Sequence, residues 1–502
     1  MKNSYRQILR SSSIIGGASV VNILVGLLKM KVAALFLGPA GVGLIGILTN
    51  LMTTANSISG VGVGTVGTRQ IAEAASLEDL RKVFVVRRAL LWLTLFLAGI
   101  GGLLFFLLRN ILAAKILNAP ELAGELAWLS IGVTLSVASA SQNALLNGMR
   151  RISDIARVSI GSAILSTVAA ITAVWCFGES AIVVFVVSAP IATFVLGHWF
   201  VSRLPKVPEF RMRCREMFSQ WRAMLSMGIA FMVAGLAGTL GQLIVRAIIH
   251  HELGVNALGH FQAAWAISMT YIGFVLGAMG TDYYPRLTAA IKDPVAVNRL
   301  VNEQMEVAIL LAAPVLIGML AAAPLVIPVL YSAKFEDAVW VLRWQVLGDM
   351  LKIASWPLGF ILLAAGAAKT VMITEWVVVG VFCALTYLLL PVIGIAATGI
   401  GFFVMYVSHL SLMWILAVRR TGFVWRSEVK RYALFLLACG LIINALAIIS
   451  DWVAASVGIV LAVWWSGFGL VRLAHAGELR GWIGKLALLA KSVMAKFGVM
   501  GE

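Results

Sequence analysis

The chain alternates between long apolar runs and short polar segments rich in arginine and lysine. Each apolar run is long enough to cross ~30 Å of hydrocarbon as a helix rising 1.5 Å per residue. Because a helix satisfies its own backbone polar groups in lipid, the pattern predicts an all-α polytopic membrane protein of about fourteen transmembrane helices. The predicted spans are 12–37, 41–68, 84–108, 122–147, 155–177, 180–202, 224–250, 257–281, 305–331, 338–366, 370–390, 392–418, 432–450 and 452–473.

Composition supports a lipid environment. Apolar residues make up 61% of the chain and charged residues only 12%, whereas soluble domains have roughly 45–50% and 25%. A water-soluble globule of this composition would have too few polar side chains to cover its surface. The four cysteines form no CxxC pair, so neither a disulfide framework nor a metal motif is indicated.

The basic residues indicate the orientation of the spans. With a cytoplasmic N-terminus, 31 of the 39 lysines and arginines fall on cytoplasmic segments and four on the opposite side. Such an asymmetry is typical of membrane topology and predicts that both termini are cytoplasmic. The net charge of +17 therefore does not indicate a nucleic-acid partner.

The two halves of the sequence resemble one another at matching glycines. Three matches follow the same order at nearly constant offset, which predicts two six-helix lobes with the same orientation, related by an axis along the membrane normal. The matches are Leu37-Gly38 and Gly43 with Leu253-Gly254 and Gly259; Gly64, Gly67, Thr68 and Arg69 with Gly277, Gly280, Thr281 and Asp282; and Asn147-Gly148 and Arg151 with Ala365-Gly366 and Lys369.

The predicted organisation follows from these spans and repeats. It comprises an N-terminal six-helix lobe (1–202), a cytoplasmic linker (203–223), a C-terminal six-helix lobe (224–418), two additional transmembrane helices (419–473) and a tail (474–502). Apolar residues recur in the tail at three- and four-residue spacing with lysines on other faces. The tail is therefore predicted to be a basic amphipathic helix lying on anionic membrane lipid.

Three segments carry a resemblance to a known family: "LGPAGVGLIGIL", "NALLNGMRRISDIAR" and "GTDYYPRLTAAI". Over about residues 8–420 the chain resembles the polysaccharide-transporter branch of the multidrug/oligosaccharidyl-lipid/polysaccharide flippases, with segments similar to bacterial O-antigen translocases of the Wzx type. Translocases of that type commonly have twelve helices, and this chain has two more predicted spans.

The resemblance implies a V-shaped helical bundle in the bacterial inner membrane, not an enzyme. It implies alternating access that flips an undecaprenyl-pyrophosphate-linked oligosaccharide from the cytoplasmic to the outer leaflet. Such a protein would serve O-antigen or lipopolysaccharide biosynthesis beside other polysaccharide-assembly proteins. The chain has no Walker A motif or other cofactor signature. Its energy source is therefore left open between an ion gradient (H⁺ or Na⁺), the membrane potential and consumption of the product.

Basic residues inside predicted spans are candidate substrate ligands, because a charge in the membrane is costly and is functional by default. Lys29 and Lys31 lie on span one, and Arg246 lies at the equivalent depth of span seven. Cations on both walls of a cavity would suit a pyrophosphate. Snorkelling to the outer interface is the alternative for all three. Lys352 and Asn56, in a polar run of span two, complete the predicted substrate-binding set.

Acidic residues inside spans are candidates for coupling or gating. Asp349 and Lys352 lie three residues apart on one face of span ten. Two interpretations stand: a mutually neutralising structural pair, or a pair opened and closed by substrate or proton. Glu375 in span eleven and Asp282 at the end of span eight belong to the same candidate set. His409 is predicted to be packed or hydrogen-bonded.

The alternative function is an ion-coupled multidrug exporter of the same superfamily. That function favours an acidic or apolar cavity for organic cations, whereas basic residues predominate inside the predicted spans. A membrane enzyme such as a sugar polymerase would need a sizeable extramembrane loop, and the predicted outer loops are all short. The residue pattern therefore favours an anionic substrate.

Overall fold

The structure is a computed structural model that describes residues 2–77, 79–205, 208, 210 and 212–476, without the side chains of 2–13, 274–275, 278–282 and 473–476. These residues form helices joined by short connections. The predicted amphipathic tail lies outside the described residues apart from its first three positions. The helices are α1 (Lys2–Gly60), α2 (Val63–Ser76), α3 (Leu80–Lys115), α4 (Ala123–Gly148), α5 (Ile152–Phe177), α6 (Ile182–Ser202), α7 (Cys214–Ala290), α8 (Pro294–Leu330), α9 (Ala338–Ala364), α10 (Ala368–Ile393), α11 (Ala396–Thr421), α12 (Ser427–Ile449) and α13 (Asp451–Ala476).

Within the described residues, eleven helical stretches are long and apolar enough to cross a membrane. Three of them have room for two crossings each: Ile14–Gly60 with 47 residues, Ile152–Ser202 with 51 and Cys214–Gly273 with 60, against about 20 residues for one crossing. The predicted all-α multi-pass fold is thereby confirmed. The predicted span 41–68 is interrupted at residues 61–62, and α2 follows as a separate helix because Gly62 adopts a left-handed conformation.

Two glycines divide the long helices α1 and α7 at equivalent points of the sequence repeat. Gly38 has φ 63° and ψ −166°, and Gly254 has φ 81° and ψ −178°. This region of backbone space is essentially restricted to glycine. Pro39 follows the first kink, where its fixed φ suits the start of a new helix segment. The shared conformation supports the register of the repeat at an offset of 216 residues.

Contacts within the described chain define two compact units. The first comprises residues up to Gly259 together with Leu330–Ser332. Its core lies between α2, α3, α4 and the start of α7. Buried core residues include Val66, Ile71, Leu90, Leu93, Leu146 and Met224.

The segments that follow the two glycine kinks pack against one another inside the first unit. Gly43 lies against the backbone of Val255 and Gly259, and Gly259 lies against Pro39. Under the offset of 216, Pro39 corresponds to Val255 and Gly43 to Gly259, so the contact is reciprocal in the manner of a two-fold interface. A Cβ atom on Gly43 or Gly259 would overlap backbone atoms, so the contact requires glycine at both positions.

The second unit comprises His260–Val329 and the described residues from Ala333 on. Helix α9 is its most enclosed element, with buried side chains on nearly every face. Three ion pairs connect the additional helices α12 and α13 with one another and with the rest of this unit. Arg343 Nη2 on α9 lies 2.8 Å from Asp451 Oδ1 on α13. Arg472 on α13 lies within 3.2 Å of Glu306 on α8 and within 3.0 Å of Glu428 on α12.

Candidate functional site

A buried carboxylate on α9 is the centre of a polar cluster in the second unit. Asp349 is fully buried. Its Oδ2 accepts hydrogen bonds of 2.6 Å from both the Ser268 hydroxyl and the Tyr271 hydroxyl, which lie one helical turn apart on α7. Its Oδ1 is also buried and has no hydrogen-bond partner among the described residues. The carboxylate therefore keeps one free acceptor for a proton or a cation.

Lys352 is not directly paired with Asp349. No ion pair of 4.0 Å or less joins the two side chains in the described chain. Both interpretations of the pair, structural neutralisation or opening by substrate or proton, stay predictions. Lys352 Nζ instead lies 5.4 Å from the centre of the Tyr406 ring and 3.7 Å from the sulfur of Met269. The tyrosine ring offers a cation–π contact.

A file of polar groups continues from Tyr406 toward a more exposed carboxylate. The rings of Tyr406 and His409 lie 5.8 Å apart on α11. His409 Nδ1 is 2.9 Å from the Ser355 hydroxyl, and its Nε2 is 3.7 Å from Glu375 Oε1. The Glu375 side chain is 44% exposed, in contrast to the sealed Asp349. We call Asp349, Lys352, Tyr406, His409 and Glu375 the polar file.

The polar file brings together three of the predicted residues: Asp349, Lys352 and Glu375. The prediction that His409 is hydrogen-bonded agrees with its contact to Ser355. The side chain of Asp282 lies outside the described residues. The carboxylates at the ends of the polar file differ strongly in exposure, since Asp349 is fully buried and the Glu375 side chain is 44% exposed.

Sequence reasoning missed Ser268, Tyr271 and Tyr406. The sequence contains one detectable signal for them, which is a pair of polar residues spaced three apart within a predicted span. Ser268 and Tyr271 form one such pair, and Tyr406 and His409 form another. Residues three apart share a helix face. A search for polar pairs at this spacing would have indicated a polar face on each of these two spans, but not the helix that each face contacts.

The first unit contains the other predicted basic residues. Lys29 is half-buried; its Nζ donates to the Phe185 carbonyl at 3.1 Å and lies 4.3 Å from the Phe185 ring centre. Arg246 is 3% exposed, and its Nη1 donates to the carbonyl and side-chain oxygens of Gln242, both at 3.2 Å. Lys31 and Asn56 are half-buried.

The glycine kinks give these basic residues a common reference point. Arg246 precedes the Gly254 kink by eight residues, while Lys29 and Lys31 precede the Gly38 kink by nine and seven. All three therefore lie roughly 10–14 Å before a kink, at 1.5 Å per helical residue. The equivalent depth inferred from the sequence rests on the kink conformations as well as on the offset.

The fold is that of a polytopic helical membrane protein. Over 82% of this chain, the fold matches 99% of an inward-facing multidrug resistance MATE family transporter of the MOP superfamily, with a TM-score of 0.68 and 16% identity. It also matches the Lipid II flippase MurJ in its inward closed conformation, with a TM-score of 0.67, 12% identity, and coverage of 93% of this chain and 100% of that one.

A family model described as "Polysaccharide biosynthesis protein" matches residues 32–340, well over half of the chain. The chain belongs to this family. It is 19% identical to the Lipid III flippase of Escherichia coli (strain K12) over 409 residues, which cover 79% of this chain and 94% of the relative. The resemblance to flippase-type polysaccharide transporters is confirmed, and a transporter is favoured over an enzyme.

Proposed function

We propose that this protein translocates a lipid-linked oligosaccharide across the membrane. The observation that carries the proposal is the similarity to a Lipid III flippase along 79% of the chain, within a family of polysaccharide biosynthesis proteins. The substrate of this class combines an anionic phosphate group, a sugar unit and a long apolar chain. The proposed ligands of the phosphate are Lys29, Lys31, Arg246 and Lys352, with Asn56 on the sugar path.

The basic residues support an anionic substrate. Arg246 is nearly fully buried, and its planar guanidinium can bind phosphate oxygens in a bidentate manner. A cation and a phosphate about 4 Å apart gain about 4 kcal/mol at an intermediate effective dielectric. We assign Arg246 and Lys29 the main contacts with the pyrophosphate.

The proposed direction is from the cytoplasmic to the outer leaflet of a bacterial inner membrane, with both termini cytoplasmic. An O-antigen or related repeat unit is the proposed cargo. Purified protein in liposomes should move a fluorescent undecaprenyl-pyrophosphate-linked oligosaccharide between leaflets, read by a membrane-impermeant quencher. Protein-free liposomes and an Arg246→Ala variant provide the controls. Equal flipping by wild type and protein-free liposomes would contradict the proposal.

We further propose that the polar file couples transport to a cation gradient, with Asp349 and Glu375 as the exchanging carboxylates and Asp282 as a third candidate. The support is the position of Asp349, sealed and with a free acceptor oxygen. Flipping should accelerate when a pH or sodium gradient is imposed across the liposome. If the flipping rate is the same with and without either gradient, the proposal of cation coupling is wrong. The proposal of translocation is unaffected by that result.

An ion-coupled multidrug exporter is the second candidate. It is favoured by the similarity to a MATE family fold and by the buried carboxylate of Asp349. The same liposomes should therefore be tested with a cationic dye. Gradient-driven dye transport without oligosaccharide flipping would favour the exporter over the flippase.

A further inference from the structure

Two adjoining cavities lie where the first turns of α3 and α7 meet. The larger, about 480 Å³, is lined by Asp79, Arg81, Lys82, Arg213, Arg215 and Glu216, among others. The smaller, about 340 Å³, is lined by Arg88, Trp92, Phe210, Met212, Arg213 and Met217, with Cys214. We call them the basic cavity and the apolar cavity. Arg213 lines both.

The two helix ends are held firmly side by side. Arg81 on α3 pairs with Glu216 on α7 at 3.1 Å. Further along both helices, the Trp221 indole donates to the Ala89 carbonyl at 3.0 Å. The Trp221 ring stacks on Phe96, with the ring centroids 5.9 Å apart. The cavities are therefore bounded by fixed helices.

Most charges in the basic cavity already have partners inside the protein. The Asp79 carboxylate accepts from the backbone N–H of Lys82 at 2.9 Å and caps α3. Glu216 accepts from the Arg213 backbone as well as pairing with Arg81. Lys82 pairs with Glu73 at 3.0 Å and holds the pKa of that carboxyl below its usual value.

Arg213 and Arg215 are the remaining charged residues that line the basic cavity. Both side chains are exposed and form no ion pair with the part of the chain that is described. Two arginines without a protein counter-ion in one cavity form a site for a single anionic group. Because both flank the connection between α6 and α7, the cavity lies on the side of the protein predicted to be cytoplasmic.

The apolar cavity determines what kind of anion fits. Trp92 on α3 lines this cavity and is 51% exposed. Phe96 and Phe218, whose rings both contact Trp221, are 54% and 59% exposed. Trp residues favour the membrane–water interface, where an amphipathic ring lies at headgroup level. An anion bound at Arg213 would thus have an apolar path on one side and a basic cavity on the other.

We propose that this site binds an anionic phospholipid of the cytoplasmic leaflet. Its phosphate lies between Arg213 and Arg215, and an acyl chain runs over Trp92. Basic pockets on the cytoplasmic side of membrane helices are suited to such headgroups. Arg88, which lines the apolar cavity, also forms no ion pair with the described residues, so the test sets a phosphodiester lipid against undecaprenyl pyrophosphate. The lipid holds α3 and α7 together and is not the transported cargo, so the inference is independent of the proposed function.

The test uses the purified full chain in neutral detergent, with native mass spectrometry and thermal unfolding as readouts. Phosphatidylglycerol should bind and raise the unfolding midpoint, whereas phosphatidylcholine and inorganic phosphate should not. The double variant Arg213→Gln/Arg215→Gln should bind phosphatidylglycerol at least tenfold more weakly. Trp92→Ala should weaken lipid binding by a smaller factor.

The matched control is Arg419→Gln/Lys430→Gln, which removes two exposed basic residues elsewhere. It should bind phosphatidylglycerol like the wild type. If both double variants lose phosphatidylglycerol binding equally, the binding depends on net charge, and the proposed site is wrong. Equal stabilisation by inorganic phosphate would overturn the lipid assignment, and displacement of phosphatidylglycerol by equimolar undecaprenyl pyrophosphate would overturn the choice of phospholipid over cargo.

Discussion

Replacement of Asp349 separates its structural role from its proposed part in transport. The side chain is fully buried and accepts two hydrogen bonds of 2.6 Å, from Ser268 and Tyr271. Asp349→Asn keeps an oxygen that can accept from both hydroxyls but removes the ionisable group. Asp349→Ala removes the acceptor that the buried Ser268 hydroxyl and the half-buried Tyr271 hydroxyl share.

The structure gives the order of the stability losses. A buried hydroxyl that loses its partner costs about 1–3 kcal/mol, and loss of a hydrogen bond from a half-buried hydroxyl costs about 1 kcal/mol, so Asp349→Ala should destabilise the protein by about 2–4 kcal/mol. Asp349→Asn exchanges charge-assisted hydrogen bonds for neutral ones, which are about half as strong, and should cost only about 1–2 kcal/mol. Chemical unfolding of the purified variants in detergent measures both values.

Transport gives the second readout. If Asp349 exchanges a proton or cation during the cycle, Asp349→Asn should fold and insert normally, yet flip substrate at least tenfold more slowly in liposomes. Because no contact ion pair joins Asp349 to Lys352, the double variant Asp349→Asn/Lys352→Met should remain inactive. A pair that only neutralises itself would regain transport in the double variant. Wild-type flipping by Asp349→Asn, or recovery in the double variant, would refute the reasoning.

Three further predictions concern the basic residues, the kinks and the topology. Each of the variants Arg246→Ala and Lys29→Ala should reduce flipping sharply at normal protein level. Arg246→Lys should retain part of the flipping activity because a cation remains at this position. Full activity of both alanine variants would exclude the proposed phosphate contacts. Gly259→Ala places a methyl group against a backbone carbonyl and should lower stability by about 1–3 kcal/mol, as overpacking does; unchanged thermal unfolding would contradict the close contact. Reporter fusions after Arg109 and after Arg426 should read outside and inside respectively, since the basic residues are so unequally divided; the reverse result would overturn the orientation.

The sequence by itself determined the class of fold. Span length and apolar content depend only on local composition, because lipid selects any segment of about 20 apolar residues that closes its own hydrogen bonds. The repeat also showed in the sequence, since a kink with positive φ and extended ψ admits little besides glycine. Gly38 and Gly254 therefore had to be glycine in both halves.

Only the tertiary structure decided the partners of the buried charges. The sequence points to Lys352, three residues away, as the partner of Asp349. The hydrogen bonds of Asp349 come instead from Ser268 and Tyr271, which lie 81 and 78 positions away. Arg343 is 1% exposed and lies against Asp451 on α13, 108 positions further along the chain. Hydropathy measures the preference of a segment for lipid or water. It carries no information on which helices pack together, and that packing selects the partner of each buried polar group.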